Sequence, residues 1–162
     1  MQIQIASPED LEFIEGAYEH ARAFMQANGN ATQWPDGYPG RIDAEEDIAH
    51  GHCFLVVDEA GPLAVFSFGP GPDETYAEID GAWHSNADYY VIHRVAAVRG
   101  RGIALAIFSF AAEHADYLRC DTHEDNGPIC GTRLSPSDSA SAARSLSPTV
   151  RSALPTTGSR NH

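Results

Sequence analysis

The stretch YYVIHRVAAVRGRGIALAIFSF, residues 89–110, decides the fold of this chain. Its first part, residues 89–98, is a long apolar run that predicts a strand. The turn RGRG, residues 99–102, follows directly. Residues 103–114 then place Ile103, Ile107, Phe110, Ala111 and His114 on one face at helical spacing, which predicts an amphipathic helix. The segment is therefore a strand, a glycine-rich turn and a helix.

The glycine-rich turn is the first candidate for chemistry. Glycines between a strand and a helix let the backbone approach a ligand closely, and the N–H groups and dipole of the helix start attract a phosphate. Arg99 and Arg101 add positive charge. The turn is neither a Walker loop, since no Gly-Lys-Ser/Thr follows, nor a GxGxxG fingerprint. An ordinary tight connection remains an equally good interpretation.

The flanking sequence predicts an α/β protein with a mixed sheet. Ile3 and Ile5 suggest a first strand, and Ser7, Pro8 and Asp10 suggest the capped start of a helix that ends near residues 28–30. The remaining predicted elements are a short helix at 43–50, a hairpin of strands 54–57 and 63–68, a strand before Trp83 and a last strand at 117–120. The predicted order is β-α-α-β-β-β-β-α-β.

Composition narrows the class of protein. The 162 residues suit one domain of ordinary size, and the net charge is −13 with no lysine, which argues against nucleic-acid binding. An acidic surface suits a cationic ligand such as an amine, although acidity also serves solubility alone. There is no apolar run of membrane-spanning length and no CxxC pair, and residues 1–12 show no basic region followed by an apolar one, so we expect no secretory signal. We therefore expect a cytoplasmic protein without membrane or nucleic-acid partners.

Several motifs together resemble one family. R-x-x-G-x-A is met by Arg99, Gly102 and Ala104, and it is similar to the pyrophosphate signature of the GNAT superfamily of acyl-CoA-dependent N-acyltransferases. HRVA at 93–96 and LRCDTHEDN at 118–126 resemble a bacterial branch of that superfamily. So do Trp34-Pro35 and the Y-x-x-I-x-G-x-W pattern at 76–83. The resemblance covers roughly residues 1–128 and implies a GNAT-like fold that uses acetyl-CoA as co-substrate.

The resemblance also implies a cofactor site. Backbone groups of Val95, Ala96 and Ala97 would hold the pantetheine arm like an added strand. The pyrophosphate would lie at the turn and helix start, and Asn126 would contact the cofactor arm. The connection between HRVA and RGRG is about three residues shorter than is usual in the family, which could displace the phosphate turn. The residues of this turn and helix start are Arg99, Gly100, Arg101, Gly102, Ile103 and Ala104.

Acetyl transfer to an amine also needs a base and an acceptor pocket. The candidate bases are Glu78, Asp80, His93 and His123, and each has a simpler interpretation as a solvated carboxylate or a structural histidine. Trp34, Tyr38 and Trp83 are candidates for binding the substrate, although such aromatics are more often core packing. The pattern His50-x-His52-Cys53 lacks a second cluster, so we expect no metal site.

The composition changes near Ile129. Residues 1–129 hold 6 arginines against 22 acidic residues, whereas residues 130–162 hold 4 arginines against one acid and no aromatic residue. A reading shifted by one base from the codon of Asp138 permits GFRECGTI and then FVADGTERIAYDW. Those segments resemble the missing end of a GNAT domain. Our hypothesis is that the tail is a frameshift product; the alternative is a natural disordered tail.

The expected domain is therefore an incomplete GNAT acetyltransferase over residues 1–129, without the usual last helix and two strands. We expect marginal stability and weak or absent activity, because the sheet would expose an edge and lose packing on one face. The predicted function is N-acetyl transfer to a primary amine of a small molecule or peptide. The alternative is a non-catalytic CoA-binding remnant or sensor. The particular acceptor and the formation of a homodimer stay open.

Overall fold

The computed structural model describes residues 1–30, 33–71, 88–98 and 102–120, and these build one sheet with helices on both of its faces. The strand order is β1-β2-β3-β4-β5. Strands β1 to β4 pair antiparallel, and β5 pairs parallel with β4. The strands are β1 Gln2–Ile5, β2 Cys53–Asp58, β3 Gly61–Pro70, β4 Tyr90–Ala97 and β5 Leu118–Cys120. The helices are α1 Leu11–Ala27, α2 Arg41–Ala49 and α3 Ile103–His114.

The N-terminal capping signal behaves as the sequence predicts. The carboxylate of Asp10 accepts hydrogen bonds from the backbone N–H of Ser7 at 2.8 Å and from its hydroxyl at 2.9 Å. A single 3-10 turn, Pro8–Asp10, leads into α1. Gly29 follows the end of α1 with φ +82°, a conformation that glycine adopts without a steric penalty. The predicted limits of this helix are therefore confirmed.

Two apolar cores sandwich the sheet. The first lies under α1 and α2 and includes Ile14, Tyr18, Leu55 and Val65. The second lies under α3, where Phe66, Ile92 and Ile107 are buried and several phenylalanine rings pack together. Alternate residues of β2 and β3 face opposite cores, as the two-residue period of a strand requires. In this three-layer arrangement β4 lies between β3 and β5.

The structure confirms the mixed α/β fold and refines some predictions. Helix α3 has the predicted limits, but His114 is exposed rather than buried, and its Nδ1 lies 2.7 Å from the carbonyl oxygen of Phe110. Helix α2 begins at Arg41, two residues before the predicted start. The predicted strand before Trp83, the segment 121–126 and the tail lie outside the described residues. No helix in the described part of the chain is long and apolar enough to cross a membrane.

Candidate active site

A bulge divides strand β4 into two parts. The β3–β4 register pairs Ser67 with His93 and Val65 with Ala96, so Phe66 faces two residues, Arg94 and Val95. Arg94 has φ +52°, and among the described residues it alone combines a side chain with positive φ. An extra residue in one strand bends that strand and redirects its backbone groups. The bulge therefore determines in which direction the backbone groups of residues 95–97 point.

Beyond the bulge, part of the β4 backbone turns away from β3. The N–H of Val98 donates to the carbonyl oxygen of Leu63 at 2.9 Å. Because backbone groups of an antiparallel strand point to alternate sides, those of Ala96 face β3 and those of Val95 and Ala97 face the other side. In the described part of the chain, β5 pairs with β4 only as far as Ile92. Val95 and Ala97 thus present their backbone groups beside the end of β5.

Helix α3 begins close after this part of β4. Its N-cap is Gly102, with φ +74° and no hydrogen bond from a capping side chain. The carbonyl of Gly102 accepts the first helical bond, from Ala106 at 3.0 Å. The first N–H groups of a helix have no intrahelical partner, and the dipole makes this end positive. Ile103 and Ala104 lie in that first turn. Such a helix start can accept an anion.

The side chain of Arg94 joins the bulge to α2. Its Nη1 donates to both carboxylate oxygens of Asp47, at 2.9 and 2.7 Å. Its Nη2 lies 3.8 Å from Oδ1 of Asp43. Its Nε donates to the hydroxyl oxygen of Tyr38 at 3.3 Å, and its guanidinium carbon lies 5.7 Å from the centre of the Tyr38 ring. We refer to Arg94, Asp47, Asp43 and Tyr38 as the arginine clamp.

The charges of the clamp stabilise each other. The Arg94 and Asp47 side chains are only 17% and 12% exposed, respectively. Burial alone disfavours the charged guanidinium, but the charge and hydrogen bonds of Asp47, with those of Tyr38, raise the pKa of Arg94 above its ordinary value. Arg94 is therefore a cation throughout the physiological pH range.

The candidate acceptor residues Trp34 and Tyr38 have different surroundings. Trp34 is 8% exposed and meets the ring of Tyr18 edge-on, with ring centres 5.8 Å apart. Tyr38 is half-buried and bonded to Arg94. The hydroxyl of Tyr18 is buried without a partner among the described residues, and burial raises its pKa above the ordinary value. The loop thus places one aromatic in the core and the other beside the bulge.

The structure positions some of the predicted site residues and not others. His93 is half-buried on β4 and pairs in register with the buried Ser67. Val95, Ala96, Ala97, Gly102, Ile103 and Ala104 lie along the end of β4 and the start of α3. The candidates outside the described residues are Glu78, Asp80, Trp83, Arg99, Gly100, Arg101, His123 and Asn126.

Sequence reasoning missed the arginine clamp apart from Tyr38. A signal was available on α2, where Asp43 and Asp47 stand four residues apart on one helix face. Like charges at this spacing destabilise a helix unless a cation lies between them. Asp47 is also buried, and a buried carboxylate requires a partner. The identity of that partner, 47 residues later in the chain, could not be predicted without the sheet register.

Comparison with known proteins gives a consistent result. No protein-family model and no curated protein matches the chain. A GNAT-family acetyltransferase from Streptococcus agalactiae is 33% identical, covers 80% of this chain and 79% of its own, and has a TM-score of 0.71. A GNAT-family acetyltransferase from Listeria monocytogenes is 22% identical with 80% coverage of both chains and a TM-score of 0.63.

A more distant match broadens the comparison. An aminoglycoside antibiotic 6'-N-acetyltransferase from Acinetobacter haemolyticus is 12% identical and has a TM-score of 0.53. It covers 80% of this chain and 85% of its own. At this identity, the similarity concerns the fold. The S. agalactiae protein, in contrast, is similar in both fold and sequence over most of both chains.

Proposed function

This chain belongs to the GNAT family of acetyltransferases, and on that premise we propose that it transfers the acetyl group of acetyl-CoA to a primary amine of a small molecule or peptide. The observation that supports the proposal is the structure at the end of β4. There, a bulged strand turns backbone groups away from β3, directly before a glycine-started helix. A thioester with a long polar arm and a pyrophosphate needs these two features side by side.

The described residues fit acetyl-CoA as a co-substrate. The outward backbone groups of Val95 and Ala97 suit the amides of the pantetheine arm, which would add to β4 like a strand. Ala96 faces β3 and would support this edge. The uncapped N–H groups at Gly102, Ile103 and Ala104 suit the pyrophosphate. By resemblance, Arg99, Gly100, Arg101 and Asn126 complete the site.

The reaction requires a polarised carbonyl and a free amine. Acetyl-CoA supplies an activated acyl carbon. An N–H of the bulge donates to the carbonyl oxygen and stabilises the charge that develops there during attack. The amine nitrogen bonds to the acyl carbon, the carbon–sulfur bond breaks, and the second proton that the nitrogen loses is transferred to the departing thiolate, which leaves as free CoA thiol. The proton of the acceptor ammonium passes to a base, for which the proposed candidates are His93, Glu78, Asp80 and His123.

His93 is the only one of those four candidates that the structure describes. It lies on β4 directly before the bulge. Along the strand, it is therefore adjacent to the backbone groups proposed to bind the acetyl group. Its partly buried position suits a group that exchanges protons through water. A base on this strand would act on the same side of the sheet as the loop that carries Tyr38.

We propose an amine acceptor on two grounds. The chain carries a net charge of −13, which attracts cationic ligands by long-range electrostatics. A protein with the same fold acetylates an aminoglycoside antibiotic according to its name, so this fold accommodates small cationic amines. Tyr38 would line the acceptor side, with Trp34 behind it and Trp83 completing the pocket. We place this activity in the cytoplasm.

The connection between β4 and α3 favours a second candidate function. Only residues 98–102 join Ala97 to Ile103, which is short for a loop that wraps a pyrophosphate. This observation favours a CoA-binding remnant or sensor without turnover. We propose that residues 1–129 form the acetyltransferase domain and that residues 130–162 are a frameshift product, so that turnover in this chain is weak.

The test compares thiol release by this chain with that by a version whose second reading frame is restored after Gly127. Acetyl-CoA is mixed with spermidine, an aminoglycoside or a lysine-containing peptide, and free thiol is measured. We expect amine-dependent release by the restored version and weak release by this chain. Binding of acetyl-CoA without release by either version would instead support the sensor. If neither version bound acetyl-CoA, the proposed function would be wrong.

A further inference from the structure

The arginine clamp holds the one residue of the described chain that combines a side chain with left-handed backbone. We infer that Arg94 is a positioning residue whose side chain keeps the β4 bulge in the shape that presents a backbone N–H to the acetyl carbonyl. The part concerning the acetyl group rests on the proposed function. The part concerning the bulge concerns this chain alone and is testable without any ligand.

The backbone at Arg94 needs support from elsewhere. A positive φ brings the Cβ of any residue except glycine close to the carbonyl oxygen, so it is adopted only where the surroundings enforce it. Arg94 has φ +52° in the middle of a paired strand, where an extended conformation is the ordinary one. Interactions with other residues must therefore stabilise the bulged conformation of Arg94 relative to the extended one.

The arginine clamp provides these interactions through all three guanidinium nitrogens of Arg94. Nη1 binds the Asp47 carboxylate, Nη2 lies near Asp43, and Nε binds the Tyr38 hydroxyl. A planar guanidinium can satisfy these three directions at once, whereas the ammonium of a lysine cannot. Regular β geometry at residue 94 would send the side chain elsewhere and leave Asp47 buried without its cation. The ion pair and the bulge consequently stabilise each other.

Arg41 also forms ion pairs with two carboxylates, but it differs from Arg94 in its exposure and in its place in the fold. Arg41 contacts Glu15 and Glu45, each at 2.8 Å. Its side chain is 53% exposed, and it lies at the start of α2 rather than on the sheet. Exposed pairs of this kind contribute little, because water and salt screen them. Arg41 is therefore the matched control for every Arg94 variant.

The clamp also connects the two sides of the proposed reaction. Tyr38 belongs to the loop that we assign to the acceptor, and Arg94 belongs to the strand that we assign to acetyl-CoA. Because these two side chains are directly hydrogen-bonded, a movement of the Tyr38 loop would change the position of Arg94 and hence the shape of the bulge. We expect Tyr38→Phe, which removes only this bond, to have the same effect as Arg94→Ala at a smaller size.

The first arm of the experiment measures backbone amide hydrogen exchange in the full chain without ligand. The N–H of Val98, bonded to Leu63 beyond the bulge, is compared with the N–H of Tyr90, bonded to Tyr117 before it. Arg94→Ala is expected to accelerate exchange at Val98 at least about tenfold more than at Tyr90. Tyr38→Phe should show a smaller shift in the same direction, and Arg41→Ala should show none.

The second arm compares the affinities of acetyl-CoA and CoA by isothermal titration. One hydrogen bond to the acetyl oxygen is worth up to about tenfold in affinity. We expect the wild-type chain to bind acetyl-CoA more tightly than CoA by up to this factor. The difference in affinity should be lost in Arg94→Ala and Arg94→Gly, partly retained in Arg94→Lys, and unchanged in Arg41→Ala. Affinity for CoA should stay within about threefold in all of them. A merely structural role would lower both affinities together.

The outcomes separate the two proposals. If neither the wild-type chain nor its frame-restored version binds either ligand, the proposed function fails, while the exchange arm still decides whether Arg94 holds the bulge. If the wild type binds both ligands and Arg94→Ala leaves both the exchange ratio and the difference in affinity intact, the inference about Arg94 is overturned. If Arg94→Ala fails to fold, Tyr38→Phe and Arg94→Lys decide in its place, since each keeps most of the side chain.

Discussion

The two halves of β4 belong to one strand and have opposite characters. Residues 90–92 pair with β3 on one side and β5 on the other, and Ile92 is 1% exposed in the core under α3. Residues 94–97 contain the bulge, turn part of their backbone away from β3 and precede the helix start. We expect the first half to contribute more to stability, and we propose that the second half provides the cofactor site. On this proposal, stability and chemistry are divided within the eight residues of one strand.

The largest effect on stability is expected in the first half of β4. Ile92→Ala removes a buried side chain and leaves a cavity, which should lower the free energy of unfolding by about 2–5 kcal/mol. Urea unfolding followed by circular dichroism measures this. Val95→Ala in the second half, where the side chain is half-buried, should cost about 1 kcal/mol or less. Equal losses at the two positions would contradict the division.

A pair of proline substitutions examines the two backbone directions beyond the bulge. Ala96→Pro removes an N–H that faces β3 and leaves a carbonyl of the ladder without its donor, which should cost about 1–3 kcal/mol in stability. Ala97→Pro removes an N–H that faces away and should cost clearly less, since no bond of the β3 ladder is lost. It should nevertheless abolish acetyl-CoA binding. Unfolding curves and titrations of both variants serve as the readout, and a more destabilising Ala97→Pro would refute the assigned directions.

A smaller effect is expected where the second half leads into α3. Gly102→Ala forces a side chain into left-handed backbone at φ +74°, at about 1–2 kcal/mol, and should weaken acetyl-CoA binding about tenfold by tilting the first N–H groups. Gly29→Ala imposes the same strain at φ +82°, far from the site. Neither added methyl meets a close neighbour, because the nearest atom at Gly102 is 3.5 Å away and none lies within 4 Å at Gly29.

These two glycine variants should therefore match in stability and differ in binding. Thermal unfolding gives the first comparison and titration with acetyl-CoA the second. Unchanged acetyl-CoA affinity in Gly102→Ala would remove the helix start from the cofactor site.

The smallest effect at neutral pH concerns the thiol in the last regular row of the sheet before the bulge. Cys53 pairs with Ser67, which pairs with His93. Burial, with the charge of Asp47, raises the pKa of the Cys53 thiol to about 12. At pH 8 we expect iodoacetamide to label the half-buried Cys120 well before Cys53. Mass spectrometry of the labelled peptides checks this order.

The same thiol makes stability fall at high pH. Because the unfolded chain releases the Cys53 proton near pH 8.5–9 and the native chain holds it until about pH 12, the unfolded state gains stability between these values. The contribution is fully present below about pH 9 and is lost as the pH rises. Cys53→Ser should flatten the decline in unfolding free energy between pH 9 and 11. An unchanged slope would contradict the raised pKa.

Much of the fold could be predicted from the sequence, because local signals agree with the tertiary structure. The apolar run before the glycines gives β4, and the spacing of Ile103, Ile107 and Ala111 gives α3 with its observed limits. The Ser7–Asp10 pair gives the start of the first helical segment. In each case the period or the cap is a property of consecutive residues.

The parts that escaped prediction depend on distant residues. The positive φ of Arg94 has no local signal, since arginine has no preference for it, and within the described ranges its side chain contacts α2 and the Tyr38 loop, both distant in sequence. Core packing was one interpretation of Trp34, but its edge-on contact with Tyr18 depends on how α1 and the loop pack. Among the proposed cofactor residues, those of the glycine-rich turn had a local signal, whereas Val95, Ala96, Ala97 and Asn126 came from the family resemblance.

The central claim is that acetyl-CoA binds along the second half of β4 and at the start of α3. An amide NMR titration of the isotopically labelled chain with acetyl-CoA tests it most directly. The account predicts that the largest shift changes fall on residues 94–98 and 102–104, with little change at residues 90–92. Changes of equal size along the whole of β4, or none at 94–98 under saturating acetyl-CoA, would contradict it.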